Sequence, residues 1–149
     1  MVKRRKIPSA IRDLVRQRAG WLCEYCHTLE QWQYIPFTID HVVPLAKGGV
    51  DDLDNLALAC FHCNRRKADR LTADDPLSGE TVPLFNPRRH DWCEHFSWSA
   101  DGLVLLGLTP VGRATVEALA LNRERVVSIR AADLVVGRHP PFGDPVQER

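Results

Sequence analysis

Cys23-Glu24-Tyr25-Cys26 and Cys60-Phe61-His62-Cys63 decide how this 149-residue chain is read, together with Asp40-His41-Val42-Val43-Pro44 between them and Asn64-Arg65-Arg66-Lys67 after them. The two C-x-x-C pairs stand thirty-three residues apart. Each pair can place two thiolates in one tight knuckle, and four thiolates complete a tetrahedral Zn2+ shell. A closed shell leaves no position for water or substrate, so this zinc is expected to be structural. In zinc-finger peptides such binding contributes on the order of 10–16 kcal/mol, which compensates for a small core. Redox pairs or disulfides are the competing reading, and a reducing compartment disfavours them. His27 and His62 flank the knuckles and could stand in as ligands. Cys93, the fifth cysteine, reads as a buried free thiol.

Working outward, Phe37 to Val43 is β-prone and stops at Pro44, and Lys47-Gly48-Gly49 marks a loop. From Phe61 to about Leu71 the composition is helical. Upstream, Pro8 to Gly20 predicts a helix, with Pro in the first turn, Ile11, Leu14 and Val15 on one face and Gly as terminator. Downstream, Leu71 to Asn86 contains Pro76, Gly79 and Pro83 and reads as a connector. Glu94–Trp98 and Leu103–Leu108 flank Ala100-Asp101-Gly102 as a β-hairpin. Thr109-Pro110 opens a helix to about Asn122, and a last helix spans Arg123 to Val136. Trp92, Phe96, Trp98, Leu103, Leu105 and Leu108 are expected to form the core of this second part. The expected organisation is α+β: a core at 1–72, a connector at 73–87, a hairpin and helical extension at 88–139, and a poorly ordered tail at 140–149.

The net charge of +1 hides an asymmetry. Up to Thr72 the chain carries 12 Lys/Arg against 8 Asp/Glu, and beyond it 8 against 11. The basic excess gathers at Lys3–Lys6 and at Arg65, Arg66, Lys67 and Arg70, where phosphate contacts could form. No apolar run approaches the roughly 18 residues of a membrane span. The basic start is not followed by a signal-peptide core, so a cytoplasmic protein with no membrane partner is expected.

The order C-x-x-C, D-H-x-x-P, G-G, N-L, C-x-x-C-N-x-x-K over roughly Gly20 to Arg70 resembles the HNH endonuclease family. The family's third named residue is usually His, and here that position is Asn64, so the chain looks like the H-N-N variant. The resemblance implies a ββα-metal, treble-clef-like core at 1–72, cleavage of double-stranded DNA to 3′-hydroxyl and 5′-phosphate ends, and a positional role for Asn55 across the Pro44–Asp54 loop. Segments around Asn86 to Arg88 and Gly112 to Val116 resemble an extension found behind small bacterial HNH proteins.

The residue types support that chemistry independently. Phosphodiester hydrolysis needs a base, a Lewis acid and charge neutralisation. His41 suits the general base, since imidazole accepts protons near neutral pH. Asp40 supplies a hard oxygen and Asn64 a carbonyl oxygen for one Mg2+ or Mn2+. Strand alternation would send Asp40 and His41 to opposite faces, a tension that a relaxed strand end near Pro44 would relieve. Arg65 and Lys67 are the expected phosphate contacts, with Arg88, Arg89 and Arg113 extending the footprint. The rival class is a non-catalytic zinc-dependent nucleic-acid-binding module, which needs no Asp-His pair followed by Asn. A nuclease acting on RNA is the third reading.

Overall fold

The computed structural model describes residues 6–144. Helix α1, Ser9–Ala19, starts after Pro8 and ends at Gly20, whose φ of 60° closes the helix with its N–H on Arg16 and Gln17 carbonyls. Two basic side chains of α1 then tie down later stretches of the chain. Arg16 pairs with Glu30 at 2.9 Å and reaches the Phe37 carbonyl at 3.2 Å, while Arg18 donates to the carbonyls of Leu53 and Leu56.

Strands β1, Thr38–His41, and β2, Leu56–Ala59, run antiparallel, pairing Thr38 with Ala59 and His41 with Leu56. All four residues of β2 are buried, because α1 packs on this strand and helix α2, Phe61–Lys67, packs on the hairpin. Cys60 caps α2, its sulfur accepting the Cys63 N–H at 3.3 Å. The helix stops at Lys67, four residues before the expected Leu71, since Ala68 takes a φ of 49°. Strand, strand and helix make the ββα unit inside an α+β chain.

The stretch read as a connector carries structure of its own. Strands β3, Thr72–Asp74, and β4, Thr81–Pro83, pair antiparallel. Their turn is held by Asp75, which has no exposed surface and accepts from Leu77 N–H, Ser78 and both guanidinium arms of Arg113. That bidentate pair holds the Asp75 carboxyl well below the usual carboxylate range. Pro and Gly here mark the ends of a hairpin, and the long-range partner that stabilises it is 38 residues away.

The second part contains a short helix α3, Trp92–His95, strands β5, Phe96–Trp98, and β6, Leu105–Gly107, and helices α4, Pro110–Ala118, and α5, Glu124–Val135. Thr109 caps α4 through its hydroxyl, accepting the Gly112 N–H at 3.0 Å. A Cβ on Gly112 would lie 2.1 Å from the His95 carbonyl oxygen, so glycine alone lets α4 meet the end of α3. Buried Arg130 of α5 donates to the Leu103 and Leu121 carbonyls and to Asn122. Trp92, Phe96, Trp98 and Leu105 are buried as expected, whereas Leu108 is 51% exposed.

These elements share one hydrophobic cluster with the first part, joining Val15, Tyr25, Phe37 and Leu58 to Phe85, Trp92, Phe96 and Leu121. Trp92 donates its indole N–H to the Tyr25 carbonyl at 3.0 Å and stacks on His27 at 3.8 Å. The start of the tail is docked rather than loose. Asp144 has no exposed surface and meets Trp98 Nε1 at 3.1 Å and His27 Nδ1 at 3.2 Å. The basic residues Lys3 to Arg5, and the tail from 145 on, lie outside the described residues.

Candidate active site beside a four-cysteine centre

The sulfur atoms of Cys23, Cys26, Cys60 and Cys63 lie within 4.8 Å of one another. Zinc–thiolate bonds of about 2.3 Å in a tetrahedron set an S···S edge of about 3.8 Å. Cys26 and Cys60 stand at 3.8 Å, so the donor set fits a structural zinc ion. Backbone turns explain the convergence: His27 adopts a φ of 57° and returns its N–H to the Cys23 carbonyl at 2.9 Å, folding the first knuckle back on itself. The Thr28 hydroxyl lies 3.1 Å from Cys26 Sγ and the Cys63 N–H points at Cys60. Burial pushes the Cys23 thiol up, so a cation is what would hold it as thiolate. Neither His27 nor His62 joins the cluster: His27 is spent on Trp92 and Asp144. Cys93 stays outside it, half-buried rather than buried.

Beside this frame a cleft of about 710 Å³ is lined by Asp40 and His41 from the end of β1, Asn64 from α2, and Pro44 and Leu45 from the loop between the strands. Strand alternation is kept. Asp40 turns inward and is 4% exposed; His41 turns outward. Both still border the cleft because it opens at the strand's end.

Asp40 is firmly held. Its Oδ2 accepts the Tyr25 hydroxyl at 2.6 Å, and the Lys67 ammonium stands 3.3 Å from Oδ1 and 3.2 Å from Oδ2. Lys67 also donates to the His41 carbonyl at 3.0 Å and is only 2% exposed. The expectation that Lys67 reaches DNA phosphate therefore gives way to an internal ion pair: the last turn of α2 aims the side chain at the sheet. Burial raises the Asp40 carboxyl, while Lys67 and Tyr25 draw it back down. A carboxylate offers about four lone-pair sites, so these donors leave room for one further ligand contact. Lys67→Met keeps the volume and removes the charge, leaving Asp40 buried without its cation. A loss of about 3 kcal/mol in urea unfolding is expected; an unchanged midpoint would mean the pair is stability-neutral.

His41 Nε2 lies 2.6 Å from Asp51 Oδ1, in the loop. Asn55 does not line the cleft. Its carboxamide accepts the Val43 N–H at 2.8 Å and donates to the Val43 and Val50 carbonyls at 3.0 and 2.9 Å. These three bonds staple the loop across its base, which brings Asp51 under His41. Gly49 sits against the staple: a Cβ there would meet the Val43 oxygen at 1.8 Å and Asn55 Nδ2 at 2.9 Å. Gly49→Ala is expected to cost about 1–3 kcal/mol through overpacking and to displace Asp51. Urea unfolding measures the first effect, and a change in the His41 imidazole NMR signals the second.

Of the other expected phosphate contacts, Arg65 is exposed and stands over the Phe61 ring at 5.9 Å. Arg113 is consumed by Asp75, and Arg88 by Glu24. Arg89 is exposed. Sequence reasoning missed Tyr25 and Asp51. Tyr25 hides as a spacer inside the first C-x-x-C pair, and Asp51 stands among further acids at Asp52 and Asp54. Neither position carries a signal of its own.

The family model for HNH endonuclease matches residues 22–70, from the first knuckle to just past α2. That span contains the four cysteines, the β1–β2 hairpin and Asp40, His41 and Asn64 of the cleft. No curated protein matches the chain. Among the described residues no helix is long and apolar enough to cross a membrane.

Proposed function

Starting from an HNH endonuclease domain at residues 22–70, whose family acts on nucleic acids, we propose that this protein is a metal-dependent endonuclease hydrolysing DNA phosphodiester bonds, with His41 as general base. The observation that carries it is the meeting of Asp40, His41 and Asn64 at one solvent-open cleft beside the four-cysteine centre. A divalent ion, Mg2+ or Mn2+, would be held by Asp40 and Asn64, and when bound it supplies a Lewis acid for the phosphate and the leaving oxygen.

The protein's own groups do the rest. His41 takes the proton of the attacking water, and the Asp51 carboxylate, 2.6 Å from Nε2, fixes the tautomer and balances the imidazolium that forms. With Nε2 donating to Asp51, Nδ1 is left as the acceptor. Asn55 and Gly49 keep the loop closed so that this pair persists. Lys67 and Tyr25 hold Asp40 at one orientation rather than touching substrate. Exposed Arg65 and Arg66, on the outer side of α2, neutralise phosphates along a double-stranded substrate. The four cysteines hold zinc as a frame.

One observation favours the non-catalytic module instead: the Asp40 charge is already met by Lys67, which lowers the attraction for a second cation. The two readings part in a plasmid nicking assay with purified protein in Mg2+, in Mn2+ and in EDTA. Metal-dependent cutting is expected. Tight DNA binding with no cutting in either metal would establish the module.

A further inference from the structure

A second groove, of about 310 Å³, opens between the 3-10 turn Glu30–Trp32, the start of α2 and the α5 face. Its rim exposes flat rings. Trp32 is 43% exposed, Phe61 46%, and Tyr34 is fully exposed. Exposed aromatic rings gathered along one groove point to a binding site. Around the rings stand Arg123, Arg125 and Arg138 against a single acid, Asp133. Arg138 already covers Trp32 at 3.8 Å, whereas exposed Arg125 is unshielded.

We propose that this groove binds a single-stranded nucleic-acid segment, its bases stacked on Tyr34 and Phe61 and its phosphates on Arg123 and Arg125. Every base has a π-face, so rings beside guanidinium groups recognise unpaired strands without needing a sequence. A duplex keeps its bases stacked on one another and offers these rings nothing. The groove adjoins the cleft described above through α2: Phe61 lines the groove, Asn64 one turn on lines the cleft, and Arg65 lies over Phe61. A strand leaving the cleft along α2 would run into the groove. The inference rests on the nucleic-acid reading of the domain but not on cleavage.

The test uses the whole 149-residue chain, zinc-loaded and without added Mg2+ or Mn2+, and a fluorescein-labelled oligothymidylate of about eight nucleotides, within the site sizes such surfaces occupy. Tyr34→Ala combined with Arg125→Ala removes one ring and one cation from fully or largely solvent-facing positions, so zinc content and melting temperature serve as controls for folding. Anisotropy is expected to show binding by the wild type, weakened about tenfold or more in the double variant. Affinity for a blunt duplex of equal length should change less than about twofold. Equal binding of the oligonucleotide by both proteins, or none by the wild type, overturns the proposal. Plasmid nicking by the wild type, run in parallel with Mg2+ and Mn2+, separates the two readings. Loss of single-strand affinity without any nicking leaves the groove standing and removes the nuclease. Nicking with no change in oligonucleotide affinity does the reverse.

Discussion

Cys60→Ser is expected to abolish cooperative folding of the whole chain, because it removes one of the four thiolates that would hold zinc, although serine can still cap α2. Cys60 stands 3.8 Å from Cys26 and accepts the Cys63 N–H, so serine leaves three thiolates around a site built for four. Structural zinc contributes on the order of 10–16 kcal/mol in zinc-finger peptides, as much as the roughly 5–15 kcal/mol net stability of a typical protein. The damage cannot stay local. Tyr25, between the first two cysteines, shares one hydrophobic cluster with Phe85, Trp92 and Leu121, and its carbonyl is bonded by Trp92. Circular dichroism during urea titration should lose its sigmoid transition, and bound zinc should fall from about one ion per chain towards none. Cys93→Ser, outside the cluster, is the matched control and should retain both. A Cys60→Ser protein that melts like wild type with its zinc in place would refute the structural role of the site.

His41→Ala is expected to reduce metal-dependent plasmid cutting by about 10²- to 10⁴-fold, the contribution of a positioned general base. The loss should fall on kcat, since in the proposed mechanism the imidazole acts on the attacking water, whereas the proposed phosphate contacts are the exposed Arg65 and Arg66. Folding should survive. The His41 side chain points out of the sheet at the last residue of β1, and its ring contacts a half-exposed Asp51 rather than the core. Zinc content and melting temperature therefore stay near wild type, and that separates lost chemistry from lost structure. Asp51→Asn should give a smaller loss in the same direction, because the amide still orients the ring but no longer balances its positive form. Full activity in folded, zinc-loaded His41→Ala would remove His41 as the base, whatever becomes of the nuclease reading.

Much of the frame is legible in the chain alone. The two C-x-x-C spacings, the β-prone run ending at Pro44 and the Thr109-Pro110 helix start are local signals, and the four-cysteine cluster, β1 and α4 occur where they point. The misreadings share one cause. Lys67 sits in a basic run and reads as surface, yet its ammonium is buried on Asp40, 27 residues away in the chain. Arg113 reads as a spare cation, yet it closes on Asp75. Pro76 and Gly79 read as a linker, and they turn a hairpin on which α4 packs. In each case a charged or turn-forming residue found its partner through the fold.

The sequence by itself determined that four cysteines would converge, that an α+β core would form between them, and that Asp40, His41 and Asn64 would be carried on adjoining elements, because knuckle spacing and strand and helix periodicities are properties of short stretches. Tertiary structure alone decided which groups hold Asp40 and His41. Tyr25 and Lys67 reach Asp40 only once the knuckle and α2 close over β1, and Asp51 reaches His41 only once Asn55 staples the loop. Such contacts depend on distance in space, which chain spacing does not encode.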